Sequence, residues 1–182
     1  TAVEDLAQLL RATLADGRRL VPWQQERDIC EAYLRIEQLR LGDRLQVTWD
    51  IDESATEFAL PPLSLQPLLE NAIYHGIETQ AAGGAIHISL RDTGDSVSLQ
   101  LTNPIASATT GRASSSTTAI KPHNGMALNN LKARIAVLFG NDSGRSIADL
   151  QTETSAERFL VTMILPKQMR STLAPIAVEP RQ

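Results

Sequence analysis

The chain has 182 residues, 42% of them hydrophobic, enough to close one good core with a smaller appendage beside it. Its formal charge is −4 and its Lys and Arg are not grouped, which argues against a nucleic-acid surface, because phosphate-backbone binding needs clustered cations. Cys30 is the only cysteine, which excludes a disulfide framework and a cysteine metal site and suits a reducing cytoplasm.

The chain begins at Thr1 without an initiator Met, and the expectation is a piece of a longer protein. No apolar run approaches the roughly 18 residues of a transmembrane helix, so the chain reads as soluble. Its first segment, "VEDLAQLLRATLAD", spaces Leu6, Leu9, Leu10 and Leu14 at helical intervals, an amphipathic helix with an apolar stripe. A second helix is predicted over "QQERDICEAYLRIEQLRLG", with Ile29, Tyr33, Ile36 and Leu39 inward and Gly42 as its stop. From Arg44 the period changes to two: Leu45, Val47, Trp49 and Ile51 alternate with polar residues as in a half-buried strand.

"LPPLSLQPLLENAIYHGIE", Leu60 to Glu78, reads as a helix whose start suits Pro61 and Pro62 and whose end suits Gly76. "AIHISLRDTGDSVSLQLTN" is a β-hairpin, with Ile86, Ile88 and Leu90 on one arm, a "DTGD" turn, and Val97, Leu99 and Leu101 on the other. Ala106 to Ala119 is almost wholly Ser, Thr and Ala and reads as a mobile loop. "GMALNNLKARIAVLFG" restores helical spacing through Leu128, Leu131, Ile135 and Leu138. Two strands follow, around "SIADLQTE" and "RFLVTMIL", before a loose tail after Pro166. Two helices among about five strands, with hairpins present, predict an α/β sandwich with a mixed or antiparallel sheet covered by helices on one face. A doubly wound parallel sheet is excluded, because a hairpin leaves no room for a crossover helix.

Within the Leu60–Glu78 helix, Asn71 and His75 are four residues apart and share a face, with Glu70 about 100° round from Asn71. An amide oxygen is a hard ligand that Mg²⁺ accepts beside water and phosphate, a carboxylate can orient a nucleophile, and an imidazole can donate to a phosphate oxygen. Spacing alone also fits a solvated Glu-Asn pair and a His that caps the helix. A zinc-protease reading fails: there is no His-Glu-x-x-His, and His87 and His123 have no neighbouring ligands.

The same stretch resembles the N box of LytS/AlgZ-type sensor histidine kinases, close to P-P-x-x-L-Q-P-L-x-E-N-A-I-x-H-G. The resemblance continues through "LLRATL", "ERDICEAYLRIEQLRLGDRL", "NNLKARIAVLFG" and "RFLVTMILP", nearly to Pro166. It implies a Bergerat (GHKL) ATP-binding domain over residues 43–166, preceded by a helical lead over 1–42 left from a dimerising hairpin and followed by a tail over 167–182. It implies ATP and Mg²⁺ as cofactors, with Asn71 holding the metal and Glu70 assisting phosphoryl transfer. His75 and Gly76 would approach the phosphates, Asn103 would face the adenine, Gly125 and Leu128 would belong to the lid box, and Arg134 would supply charge. The Ser/Thr/Ala loop would be the ATP lid. The partners implied are a LytTR-type, AlgR-like response regulator and a second copy in the full-length protein, with no nucleic acid, and membrane attachment only through a region outside this chain. The cytoplasmic face of an inner membrane is the implied location.

Three positions depart from the family pattern. Tyr74 stands where Lys is common. The strand end "LTNPIAS" carries Asn103 for the adenine-binding Asp of an Asp-x-Gly-x-Gly box and has neither glycine. The lid's Gly-x-Gly-x-Gly-Leu reads "HNGMAL", keeping Gly125 but not its neighbours; Lys121, Lys132 and Arg134 are the cations nearest in sequence. The acceptor segment of such kinases, His-Phe-x-Phe-Asn, does not occur, so self-phosphorylation is not expected. A degenerate pseudokinase that docks a regulator without using ATP is the alternative; another Bergerat-fold ATPase is disfavoured by the leading helices.

Overall fold

Alternating apolar residues decide which face of the sheet is buried, and here they do so on every central strand. The computed structural model describes residues 2–13, 20–105, 123–139 and 148–167. In order these form α1 (Ala2–Thr13), β1 (Val21–Pro22), α2 (Trp23–Leu41), β2 (Leu45–Ile51), β3 (Ala59–Leu60) and α3 (Gln66–Asn71), which runs into a π turn (Ala72–Ile77). Then come β4 (Gly84–Asp92), β5 (Ser96–Pro104), α4 (His123–Phe139), β6 (Asp149–Thr154) and β7 (Arg158–Pro166).

The main sheet has the order β2-β4-β5-β7-β6. β2 runs parallel to β4, and every other pair is antiparallel. A parallel pair needs a crossover, and the crossover from β2 to β4 is the segment that carries α3 and the π turn. Ile88 faces Leu101 across one ladder, and Leu99 faces both Leu90 and Met163, so one side of the sheet is a continuous apolar layer. His87 and Arg91 on the other side are exposed. Helices therefore cover one face only, as the α/β sandwich reading expects.

α2 is built into the same core as the sheet, although its predicted inward line is displaced. Trp23, Ile29, Cys30, Leu34 and Leu41 are buried, while Leu39 is 77% exposed. The buried line runs through Cys30, Leu34 and Leu41; at 100° per residue Leu39 lies about 140° from Leu34. The Gln38 amide donates to the carbonyls of Gly42 (2.8 Å) and Leu45 (3.1 Å), tying the end of the helix to β2. The short strands β1 and β3, absent from the sequence reading, pair Val21 with Leu60 and Pro22 with Ala59. Trp23 donates its backbone N–H to Phe58 O (3.0 Å), and its ring stacks on Phe58 with centroids 5.7 Å apart.

α1 lies on α2 with Leu6 and Leu10 more than half exposed, so the predicted stripe is only partly used. Arg35 Nη2 donates to Asp5 Oδ1 at 2.5 Å, and this hydrogen bond holds the Asp5 carboxyl below the usual carboxylate range. A group with a lowered folded pKa contributes stability above its unfolded pKa and loses it as pH falls through the folded value. Acidification through the carboxylate range is therefore expected to release α1 from α2, read as faster amide exchange in α1. Arg35→Met should remove that pH dependence; an identical acid response in the variant would refute it.

Candidate active site

The N-box helix does not start at its prolines. Pro61 to Leu65 form a loop in which Leu63 takes φ 55, a left-handed conformation costly for a side chain with a Cβ, and α3 begins at Gln66 with Pro67 in its first turn. Glu26 of α2 stabilises this loop. Its fully buried carboxylate accepts from the N–H groups of Leu63 (2.8 Å, Oε2) and Leu65 (3.0 Å, Oε1). Burial pushes the Glu26 carboxyl up, and the backbone amides of residues 63–66 pull it back. Sequence reading passed over Glu26, because a charged residue in an amphipathic helix reads as solvated; its only signal is that it falls four residues before Cys30, on the buried line.

Along α3, Glu70 is exposed and its Oε1 accepts from Gln66 Nε2 at 2.9 Å. Asn71 is partly exposed, and its Nδ2 is enclosed without a hydrogen-bond partner. His75 is partly exposed, edge-on to Tyr74 with ring centroids 4.7 Å apart. Gly76 does not end the helix; it sits within the π turn, where Glu78 N–H reaches Ile73 O five residues back at 2.9 Å. Such turns store one extra residue and recur at functional sites.

Gly76 is what lets the N box meet β5. A Cβ at this position would lie 2.5 Å from Asn103 Nδ2 and 2.7 Å from Pro104 O, so only glycine fits. Asn103 is 3% exposed; its Nδ2 donates to Pro104 O at 2.9 Å, which leaves Oδ1 enclosed without a donor. An orphaned buried acceptor costs about 1–3 kcal/mol, a cost that an incoming N–H removes. The bond to Pro104 fixes which atom is the acceptor. Asn103→Asp would set an oxygen against Pro104 O, and a loss of about 1–3 kcal/mol in urea denaturation is expected; unchanged stability would mean that Nδ2 is not held.

Arg134 of α4 is not an open cation: its Nη2 donates to Pro62 O at 2.7 Å, joining α4 to the loop before α3. Leu128 packs against the core, and Lys132 is exposed. Gly125 lies in the first turns of α4, which begins at His123 rather than at the predicted Gly125. The predicted lid, Ala106 to Ala119, and Lys121 lie outside the described residues, as does the tail beyond Lys167. The structure therefore brings Asn71, His75, Gly76 and Asn103 onto adjoining elements and sets Arg134 at the opposite end of α3. Among the described residues no group of three or more His, Cys, Asp or Glu could hold a metal, so a divalent ion at Asn71 would need oxygens from a ligand or water. Cys30 is buried, and burial, with Glu26, Glu31 and Glu70 nearby, pushes its thiol up, which makes it unreactive.

The sheet-and-helix arrangement is that of solved histidine-kinase catalytic domains. The catalytic domain of ThkA superposes with a TM-score of 0.55 at 16% identity, covering 82% of this chain and 96% of that one. Mycobacterial MprB gives 0.51 at 11% identity, covering 83% and 98%. In sequence, the family model described as "Histidine kinase" matches residues 1–45. The sensor protein LytS of Oceanobacillus iheyensis is 30% identical over 172 residues, 88% of this chain and 28% of that protein. Sensor histidine kinase YesM of Bacillus subtilis is 33% identical over 156 residues, 80% of this chain and 24% of that protein. The chain thus spans about a quarter of the curated relatives it matches. Over most of its length the chain is similar to sensor histidine kinases, and its fold is that of their catalytic domains. The relatives it resembles include BtsS of Escherichia coli at 32% identity over 152 residues, 80% of this chain and 24% of that protein, so the likeness is to kinases of the LytS/YesM/BtsS type. No helix among the described residues is long and apolar enough to cross a membrane.

Proposed function

We propose that this region binds ATP with Mg²⁺ beside α3 and β5 and passes the γ-phosphoryl to a histidine outside the chain, from which it goes to an aspartate of a response regulator. The observation that carries the reading is the enclosed, unpartnered Oδ1 of Asn103, a residue whose Nδ2 lies against Gly76: an acceptor at the end of β5 for the exocyclic amino group of adenine. Asn71 suits the triphosphate end, since its amide is partly exposed and lacks a protein partner on Nδ2. A single neutral amide holds Mg²⁺ only together with phosphate oxygens and water, so metal and nucleotide bind as a unit. Bound there, the ion would supply charge neutralisation between the phosphates. Glu70 orients the acceptor, His75 and Gly76 line the phosphate path, and Gly125 and Leu128 close the lid side. Arg134 acts through the Pro62 carbonyl. The full-size histidine kinase ShkA, similar in fold at a TM-score of 0.53 and 12% identity, was solved in complex with AMPPNP, which supports the choice of ligand.

The partner proposed is a LytTR-type, AlgR-like regulator, and the full-length kinase is proposed to be a membrane-tethered dimer whose helical lead is residues 1–42. Its particular kind is proposed to be the alginate-regulating AlgZ (FimS) of pseudomonads, on the N-box resemblance alone. Calorimetric titration with Mg-ATP tests the central reading. Saturable heat is expected at micromolar to millimolar nucleotide; none at millimolar ATP would replace the kinase with a regulator-docking scaffold.

A further inference from the structure

Glu26 takes no part in the chemistry proposed above, yet it is the only fully enclosed charged side chain among the described residues. Its carboxylate is divided, one oxygen on Leu65 N–H and the other on Leu63 N–H. Those amides flank the start of α3, where Leu65 occupies the cap position and no local side chain caps the helix. A Ser or Asp at the cap would reach only donors inside the first turn, not the Leu63 and Leu65 N–H groups at and before the cap. Borrowing the acceptor from α2 does something a local cap cannot: it fixes α3 against another helix.

The rest of the loop is gripped in the same manner. Upstream, β1 pairs with β3, and Trp23 N–H reaches Phe58 O, so the start of α2 holds the chain as it enters the loop. In the middle, Ser64 Oγ donates to Pro61 O at 2.6 Å and Arg134 Nη2 to Pro62 O at 2.7 Å. The strained backbone at Leu63 persists because its N–H has a buried anion to bond.

We propose that Glu26 is a positioning residue for the nucleotide site. By holding the amides at the head of α3 it sets the origin and direction of the helix that carries Asn71, and it ties that placement to α2. The inference rests on the reading of Asn71 as the metal-side residue, and the experiment separates the two. Glu26→Gln keeps the shape but offers one carbonyl and one NH₂, so one loop amide loses its acceptor and faces a donor instead. Ile29→Val, on the same helix and also buried, serves as the control for lost stability alone.

Mg-ATP titration at a temperature where all three proteins are folded, checked by their melting curves, is expected to show at least tenfold weaker binding for Glu26→Gln and unchanged binding for Ile29→Val. A carboxylate that merely stabilised the fold would lower the melting temperature and leave the affinity of the folded protein alone, and that result overturns the inference. The side-chain amide resonance of Asn71 in ¹⁵N spectra provides a readout without nucleotide: Glu26→Gln must shift it, and an unmoved resonance also overturns the inference. Should the unaltered protein bind no Mg-ATP, the proposed function fails, and the positioning role stands or falls on that resonance alone. If Glu26→Gln does not fold, Glu26→Asp, which keeps the charge but shortens the reach, is measured by the same two criteria.

Discussion

Asn71→Ala is expected to abolish Mg²⁺-dependent nucleotide binding while leaving a weak, metal-independent component. The physical reason is the small number of protein oxygens available: among the described residues no carboxylate cluster can take over the ion. Loss of even an indirect metal contact typically costs ~10–100-fold in metal affinity, and loss of a direct one with no substitute nearby should cost more. On the proposed reading the residual component is adenine recognition, which Asn103 would supply without metal. Titrations with and without Mg²⁺ should therefore differ for the unaltered protein and coincide for the variant. Equal Mg²⁺ enhancement in both proteins would remove Asn71 from the metal role and leave its orphaned Nδ2 to be explained by packing alone.

Gly76→Ala should be the most damaging single-methyl change in the site. The added carbon would fall 2.5 Å from Asn103 Nδ2 and 2.7 Å from Pro104 O. One neighbour is backbone and the other is an amide held to that backbone at 2.9 Å, so neither can move aside freely. Overpacking of this sort costs about 1–3 kcal/mol. Its second effect is chemical: the π turn and the end of β5 are forced apart, which would displace Asn103, the acceptor proposed for the nucleotide base. The measurements are the urea midpoint, expected to fall, and competition between ATP and GTP, expected to lose its preference for ATP. Retained selectivity with a lowered midpoint would mean that Asn103 does not read the base.

How much of this was legible in the sequence depends on how far each feature reaches along the chain. The hairpin β4–β5 was plain, because Ile86, Ile88 and Leu90 on one arm and Val97, Leu99 and Leu101 on the other alternate with polar residues on either side of a turn glycine. β1 and β3 were not, since two residues each give no period to detect. Leu39 was misassigned because one helical line through Ile29, Tyr33 and Ile36 is nearly as apolar as the true one, and only the Gln38 contacts at the helix end reveal which line faces the sheet. In the site, "ENAIYHG" located Asn71, His75 and Gly76, but a 3.6-residue reading could not disclose a π turn or anticipate that Gly76 serves contact with Asn103 rather than helix termination. Arg134 looked like a phosphate cation because charge is visible in sequence and the carbonyl that receives it is not. Glu26 was invisible for the converse reason: what buries it is a loop 37 residues further along.

The widened turn at Ala72–Ile77 has a price in adaptability. A regular helix tolerates many substitutions so long as one side stays apolar, whereas this segment holds its register through a single surplus residue. Deleting one residue between Asn71 and Gly76 would restore ordinary α geometry and better backbone bonding. It would also swing the glycine away from the strand end by about 100°. A shorter, more regular helix would thus part Gly76 from Asn103, so their contact depends on the length of this stretch.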